Sequence, residues 1–229
     1  MVDDVGRSGA CNMAADERLL AESVRSGARF LRLYRWDPPT LSIGRNQAGI
    51  FEGVPVVRRP TGGQAVWHDQ EVTYAIAAPI AEFGSLRKAY REIHARLTRA
   101  LRALGVDAVL APARPPLRPS ARPSSCFATS VGGEILVNGA KLVGSAQVRS
   151  GDTFLQHGSI LLAGTQEAAG SESGVTTLAG VLGRPVSFEE VASAIIAVWE
   201  SYGPSVPFAP LRAGCPPVRP SDIASAASG

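Results

Sequence analysis

Between residues 86 and 104 apolar side chains recur every third or fourth position: Leu86, Tyr90, Ile93, Leu97, Leu101 and Leu104. That spacing lines one face of an α-helix, and Gly105 is suited to end it. The opposite face carries Arg87, Lys88, Arg91, Arg96, Arg99 and Arg102. A helix is also predicted over residues 12–26, with Asn12 as its cap and Met13, Leu19, Leu20 and Val24 on one side. Another is predicted over 188–203, with Ser187 as cap and Glu189 and Glu190 at its positive end.

Elsewhere the period shortens to two. FLRLYRW (30–36) alternates apolar and polar residues, as a half-buried strand does. TLSIG (40–44), VPVV (54–57), EVTYAIAAP (71–79) and TFLQHGSILLA (153–163) are further strands. Asn138-Gly139 predicts a β-hairpin over 134–149. APARPPLRPSARPSS (111–125) predicts a loop, and the Pro-, Ala- and Ser-rich end predicts a tail frayed from about residue 210. Interleaved helices and hairpins argue an α+β fold: one domain with a mixed, mostly antiparallel sheet flanked by helices.

Composition narrows the class. With 45% hydrophobic residues in 229, the chain can bury a sizeable core. A formal charge of +3 is too small to argue for nucleic acid. Cys11, Cys126 and Cys215 are odd in number and far apart. They predict neither a disulfide framework nor a thiolate metal site, and they suit a reducing compartment. No signal peptide is read at the start, and no apolar run is long enough to span a membrane. The expected location is the cytoplasm.

Several residue groups offer chemistry. RRPTGG (58–63) is either a tight turn with solvated arginines or a cradle for an anionic or acyl ligand. Arg59, Thr61, Gly62 and Gly63 would line such a cradle. His68-Asp69 is either an acid–base pair or a structural contact, and His94 reads as structural. Gly158, after His157, predicts a bulge or a close backbone approach. Lys141 precedes the small residues Gly144, Ser145 and Ala146, where a ligand could lie against the strand. Cys126 is either a buried core thiol or a nucleophile beside cationic groups. No His or Cys spacing suggests a metal site.

Taken in order, these motifs resemble the biotin/lipoate A/B protein ligase family. The matching pieces include NMAADERLL (12–20), LRLYRWDPPTLSIGRNQ (31–47), RRPTGGQAVWHDQEVTY (58–74), CFATS (126–130), NGAKLVGSAQVR (138–149) and LQHGSILL (155–162). The resemblance runs over roughly residues 11–202. It implies a catalytic domain over 11–203, with 1–10 and 204–229 as terminal extensions.

The resemblance implies attachment of octanoate or lipoate to a lysine of a lipoyl carrier domain, such as glycine-cleavage H protein or a 2-oxoacid dehydrogenase E2. The CF position, HDQE and GSAQ are most similar to the cysteine-dependent octanoyltransferase branch. There, octanoyl-acyl carrier protein is the donor, Cys126 carries the acyl thioester, and Lys141 assists. No cofactor is implied. The alternatives are a ligase using ATP and Mg, an amidotransferase between lipoyl domains, and a non-catalytic acyl-binding domain. The implied substrate contacts are Arg59, Thr61, Gly62, Gly63, Gln64, Ala65, His68, Gly144, Ser145, Ala146, His157 and Gly158. Gln64 departs from the glycine or arginine usual after the glycine pair.

Overall fold

A computed structural model describes residues 2–49, 51, 53–112, 133–170 and 174–202. In chain order the elements are β1 (Val2–Arg7), α1 (Gly9–Ser26), β2 (Phe30–Trp36), β3 (Thr40–Ile43), β4 (Val56–Arg58), β5 (Val66–His68) and β6 (Glu71–Pro79). Then come α2 (Leu86–Ala103), β7 (Val109–Leu110), β8 (Ile135–Val137), β9 (Ala140–Ser150), β10 (Thr153–Leu161), α3 (Leu178–Leu182) and α4 (Phe188–Glu200). A seven-stranded sheet runs β1-β2-β6-β10-β9-β8-β7, and a three-stranded one runs β4-β3-β5. All pairings in the large sheet are antiparallel except β1 with β2. This is the predicted mixed, mostly antiparallel α+β fold.

Alternation along β2 assigns the two faces. Leu31 and Leu33 join Tyr74, Ile93, Leu97 and Ile195 in the larger core, beneath α2 and α4. Phe30, Tyr34 and Trp36 pack with Met13 and Leu19 of α1 on the other side. The strand is therefore buried on both faces rather than half-buried, and Arg32 is fully enclosed.

Three features differ from expectation. Ser8, not Asn12, caps α1, its hydroxyl accepting from the Cys11 amide. Asn12 instead turns inward, its amide donating to the carbonyls of Arg7 and Arg35. The stretch 1–10, read as an extension, contains β1, paired to β2. Cys11 is disulfide-bonded, contrary to the reading of isolated thiols.

The hairpin forms as predicted. Asn138 and Gly139 both have positive φ, 50° and 80°, as a type I′ turn requires. Its register then slips. Ile135 pairs with Val143 but Leu136 with Lys141, so β9 carries an extra residue. Leu142 and Val143 consequently both enter the larger core. Lys141, paired with Leu136, faces the other way. A bulge re-aims a side chain in this manner.

Candidate active site

The glycine-rich corner folds onto the end of β3. A Cβ on Gly44 would lie 2.0 Å from the Gly63 carbonyl oxygen, so the two backbones touch. Arg59 fastens the corner and is not solvated. It is 5% exposed, donating to the carbonyls of Gly62 (2.8 Å), Gln64 (2.6 Å) and Ser42 (3.0 Å). Arg58 donates to the carbonyls of Gly44 and Gln47.

Thr61 connects this corner to the large sheet. Its hydroxyl lies 2.7 Å from His157 Nε2, and His157 Nδ1 lies 2.9 Å from an Asp16 oxygen. A carboxylate only accepts, so Nδ1 donates to Asp16, and neutral Nε2 accepts from Thr61. Burial pushes the His157 pKa below its usual 6.5, outweighing Asp16. Asp16 also accepts from Tyr34 (2.8 Å) and Arg32 (3.0 Å). The arginine is thus buried as half of an ion pair.

A second network supports His68. Nδ1 donates to Glu71 at 2.8 Å, and Nε2 lies 2.7 Å from the Ser42 hydroxyl. The ring stacks on Trp36 at 3.9 Å. Ser159 and Thr73 also donate to Glu71, and the Trp36 indole donates to Thr73. His68 therefore sits in a satisfied Ser–His–Glu arrangement. The neighbouring Asp69 is exposed, so it is not the partner that adjacency in sequence suggested.

A third network lies on the α2 face. His94 Nδ1 donates to the Gly133 carbonyl at 2.5 Å, leaving Nε2 to accept from Ser145 (2.9 Å). Tyr74 bridges Ser145 and Gln156. Burial lowers the His94 pKa to about 4.

Between the first two networks lies a narrow slot. Arg59, His68, Gly144, Ser145, Ala146, His157 and Gly158 line it, together with Met13, Tyr34, Trp36 and Ser42. Its free volume is about 30 Å³, room for about one or two waters. Gly158 makes the predicted close approach without a bulge. A Cβ there would sit 2.3 Å from the Ser145 hydroxyl and 2.6 Å from the Gly144 carbonyl, while its register with both neighbouring strands stays regular.

Lys141 is buried with its ammonium on the Glu134 carboxylate. Among the described residues, neither it nor Thr61, Gly62, Gly63, Gln64 or Ala65 lines the slot. Ala65 packs instead with Leu41 and Ile43. Cys126 lies outside the described residues.

The sequence pattern of the lipoyl protein ligase A/B catalytic domain matches residues 8–200. The chain belongs to that family.

Among its relatives, octanoyltransferase LipM of Kyrpidia tusciae is 41% identical over 223 residues, covering 82% of this chain and 81% of the relative. Octanoyltransferase LipM of Bacillus subtilis is 39% identical over 178 residues, covering 70% and 64%. The fold matches lipoate-protein ligase A bound with ATP at TM-score 0.69 and 20% identity, covering 87% of this chain and 83% of that one. A bi-partite lipoate protein ligase from Thermoplasma acidophilum matches at TM-score 0.62 and 20% identity, covering 87% and 82%.

Within this family member, sequence reading missed Asp16, Ser42, Glu71 and the linking role of His94. One signal was available. Asn12 and Asp16 stand four apart among the apolar residues of α1, which places two polar groups on its buried face.

Proposed function

We propose that this chain moves an octanoyl group from acyl carrier protein, through a thioester on Cys126, to a lysine of a lipoyl carrier domain in lipoate assembly. The observation that carries this reading is its likeness to octanoyltransferase LipM proteins across most of the chain, together with a cysteine at position 126.

In the first step the Cys126 thiolate attacks the donor's thioester carbonyl. A carbon–sulfur bond forms, and the carrier's thiolate leaves. In the second step a neutral lysine amine of the acceptor attacks the octanoyl-cysteine. Cys126 leaves as thiolate, and the amine gives up a proton as the amide forms. Thioester to amide runs downhill, so this route uses no ATP; ATP and Mg belong to the ligase alternative.

The Lys141 ammonium, aimed off the core by the bulge, would stabilise the oxyanion with backbone amides near Gly144 and Ser145. The slot behind would hold the acyl chain. Glycine-cleavage H protein or a 2-oxoacid dehydrogenase E2 would be the acceptor, and the cytoplasm the setting. No helix among the described residues is long and apolar enough to cross a membrane.

The exposed cations Arg87, Lys88 and Arg91 of α2 remain available to an acidic carrier. Arg96 lies over Tyr202, while Arg99 and Arg102 bond within the chain.

Intact-protein mass spectrometry under reducing conditions tests the reading. Octanoyl-acyl carrier protein should leave an octanoyl adduct that survives Cys11→Ser and Cys215→Ser and is absent in Cys126→Ser. Acylation of a lipoyl domain only with ATP and free octanoate, and no adduct, would make the protein a ligase.

A further inference from the structure

The slot as it stands is too narrow for an eight-carbon chain, so a lining side chain must move. Nearly every large one is held. Tyr34 is tied to Asp16 at 2.8 Å. Trp36 is tied to Thr73 at 2.7 Å and stacked on His68. His68 is held at both ring nitrogens by Glu71 and Ser42, and His157 by Asp16 and Thr61. Arg59 is fastened to three carbonyls. Displacing any of these leaves buried polar groups without partners, which is expensive.

The other lining residues are small, apart from Thr73, which is tied to Glu71 and Trp36, branched Val66, and Met13. Val66 has one torsion, stiff at Cβ. Met13 is unbranched, with three rotatable side-chain bonds and a polarisable sulfur. It is 4% exposed and packs in the cluster beneath α1, where two members, Ala75 and Ala77, are small.

We propose that Met13 is the adjustable back wall of the slot and sets the length of acyl chain the protein accepts. The inference rests on the reading that this slot takes the acyl chain. When a chain enters, the thioether swings toward the Ala75 and Ala77 side, and the reach of that swing fixes how many methylenes fit. A shorter side chain should admit longer acyl groups, and a bulkier, stiffer one should exclude octanoyl.

The experiment uses the full chain as wild type, Met13→Ala, Met13→Phe and Met13→Leu. Calorimetric titration measures the affinity for hexanoate, octanoate, decanoate and dodecanoate. Mass spectrometry measures the Cys126 adduct from octanoyl- and decanoyl-acyl carrier protein. In Met13→Ala the decanoate-to-octanoate affinity ratio should rise by roughly tenfold for the two added methylenes. Met13→Phe should shift preference toward hexanoate. If Met13→Ala fails to fold, a narrowing in Met13→Phe, with Met13→Leu as the volume-matched reference, carries the same test.

An unchanged ratio in every folded variant, or no fatty acid bound by the wild type, overturns the proposal. The two readings fail separately. An adduct on Cys126 with an unmoved length profile sinks only the Met13 inference. A moved profile with no adduct sinks the transferase reading and leaves Met13 in control of the slot.

Discussion

The Thr61 hydroxyl lies 2.7 Å from His157 Nε2, which ties the arginine–glycine corner to the centre of the large sheet. Nδ1 is committed to Asp16, so Thr61 is the donor to a buried acceptor. Thr61→Val removes that donor while keeping shape. It should cost about 1–3 kcal/mol in urea unfolding, and Thr61→Ser should recover most of it. Equal stability of the valine and serine variants would argue against the bond.

His94 makes stability pH-dependent. Its pKa is about 4 when folded against 6.5 as a free group. Between those values the unfolded chain binds a proton that the folded chain refuses. Stability should therefore fall as pH drops from about 6.5 to about 4, by up to roughly 3 kcal/mol, with no contribution above that window. His157, lowered for the same reason, adds in the same direction. Denaturant unfolding across pH 4–7 should show the slope, and His94→Asn should flatten it.

The buried pair of Lys141 and Glu134 separates stability from chemistry. Lys141→Met or Glu134→Gln alone removes half of a buried ion pair and should cost about 3–5 kcal/mol. Lys141→Met with Glu134→Leu should regain much of that loss. Acyl transfer should stay low in the double variant if the ammonium stabilises the oxyanion. Wild-type kcat in the double variant would reduce Lys141 to a structural role.

The glycines divide by what surrounds them. Gly44→Ala drives a Cβ to within 2.0 Å of the Gly63 carbonyl oxygen. Gly158→Ala collides with Ser145, Gly144 and Tyr74. Each should lower stability by about 1–3 kcal/mol or more. Gly62 has open space around its Cβ direction and no positive φ, so Gly62→Ala should change stability by less than about 0.5 kcal/mol. Thermal unfolding of the three variants checks the ranking.

Local pattern carried much of the architecture. The period-3.6 stripe of α2, the Ser187 cap of α4 and the Asn138-Gly139 turn are short-range features, and each formed as read. The three-residue strand β5 and the two sheets' pairing escaped, because a strand that short has no period to detect. The strand β2 was read as half-buried because alternation looks the same whether a polar side chain such as Arg32 meets water or an aspartate.

By itself, the order of motifs determined the family, and the resemblance it carries put His157, Thr61 and Gly158 among the expected substrate contacts. Tertiary structure decided which partner each took. Asp16 reaches His157 from 141 positions away and Ser42 reaches His68 from 26, across strands; for His68 the bonding acid is Glu71, three positions on, rather than adjacent Asp69. The bulge in β9 likewise chose the face of Lys141. Hydrogen-bond partners and strand register depend on where separate segments meet, and spacing along one chain does not encode that meeting directly.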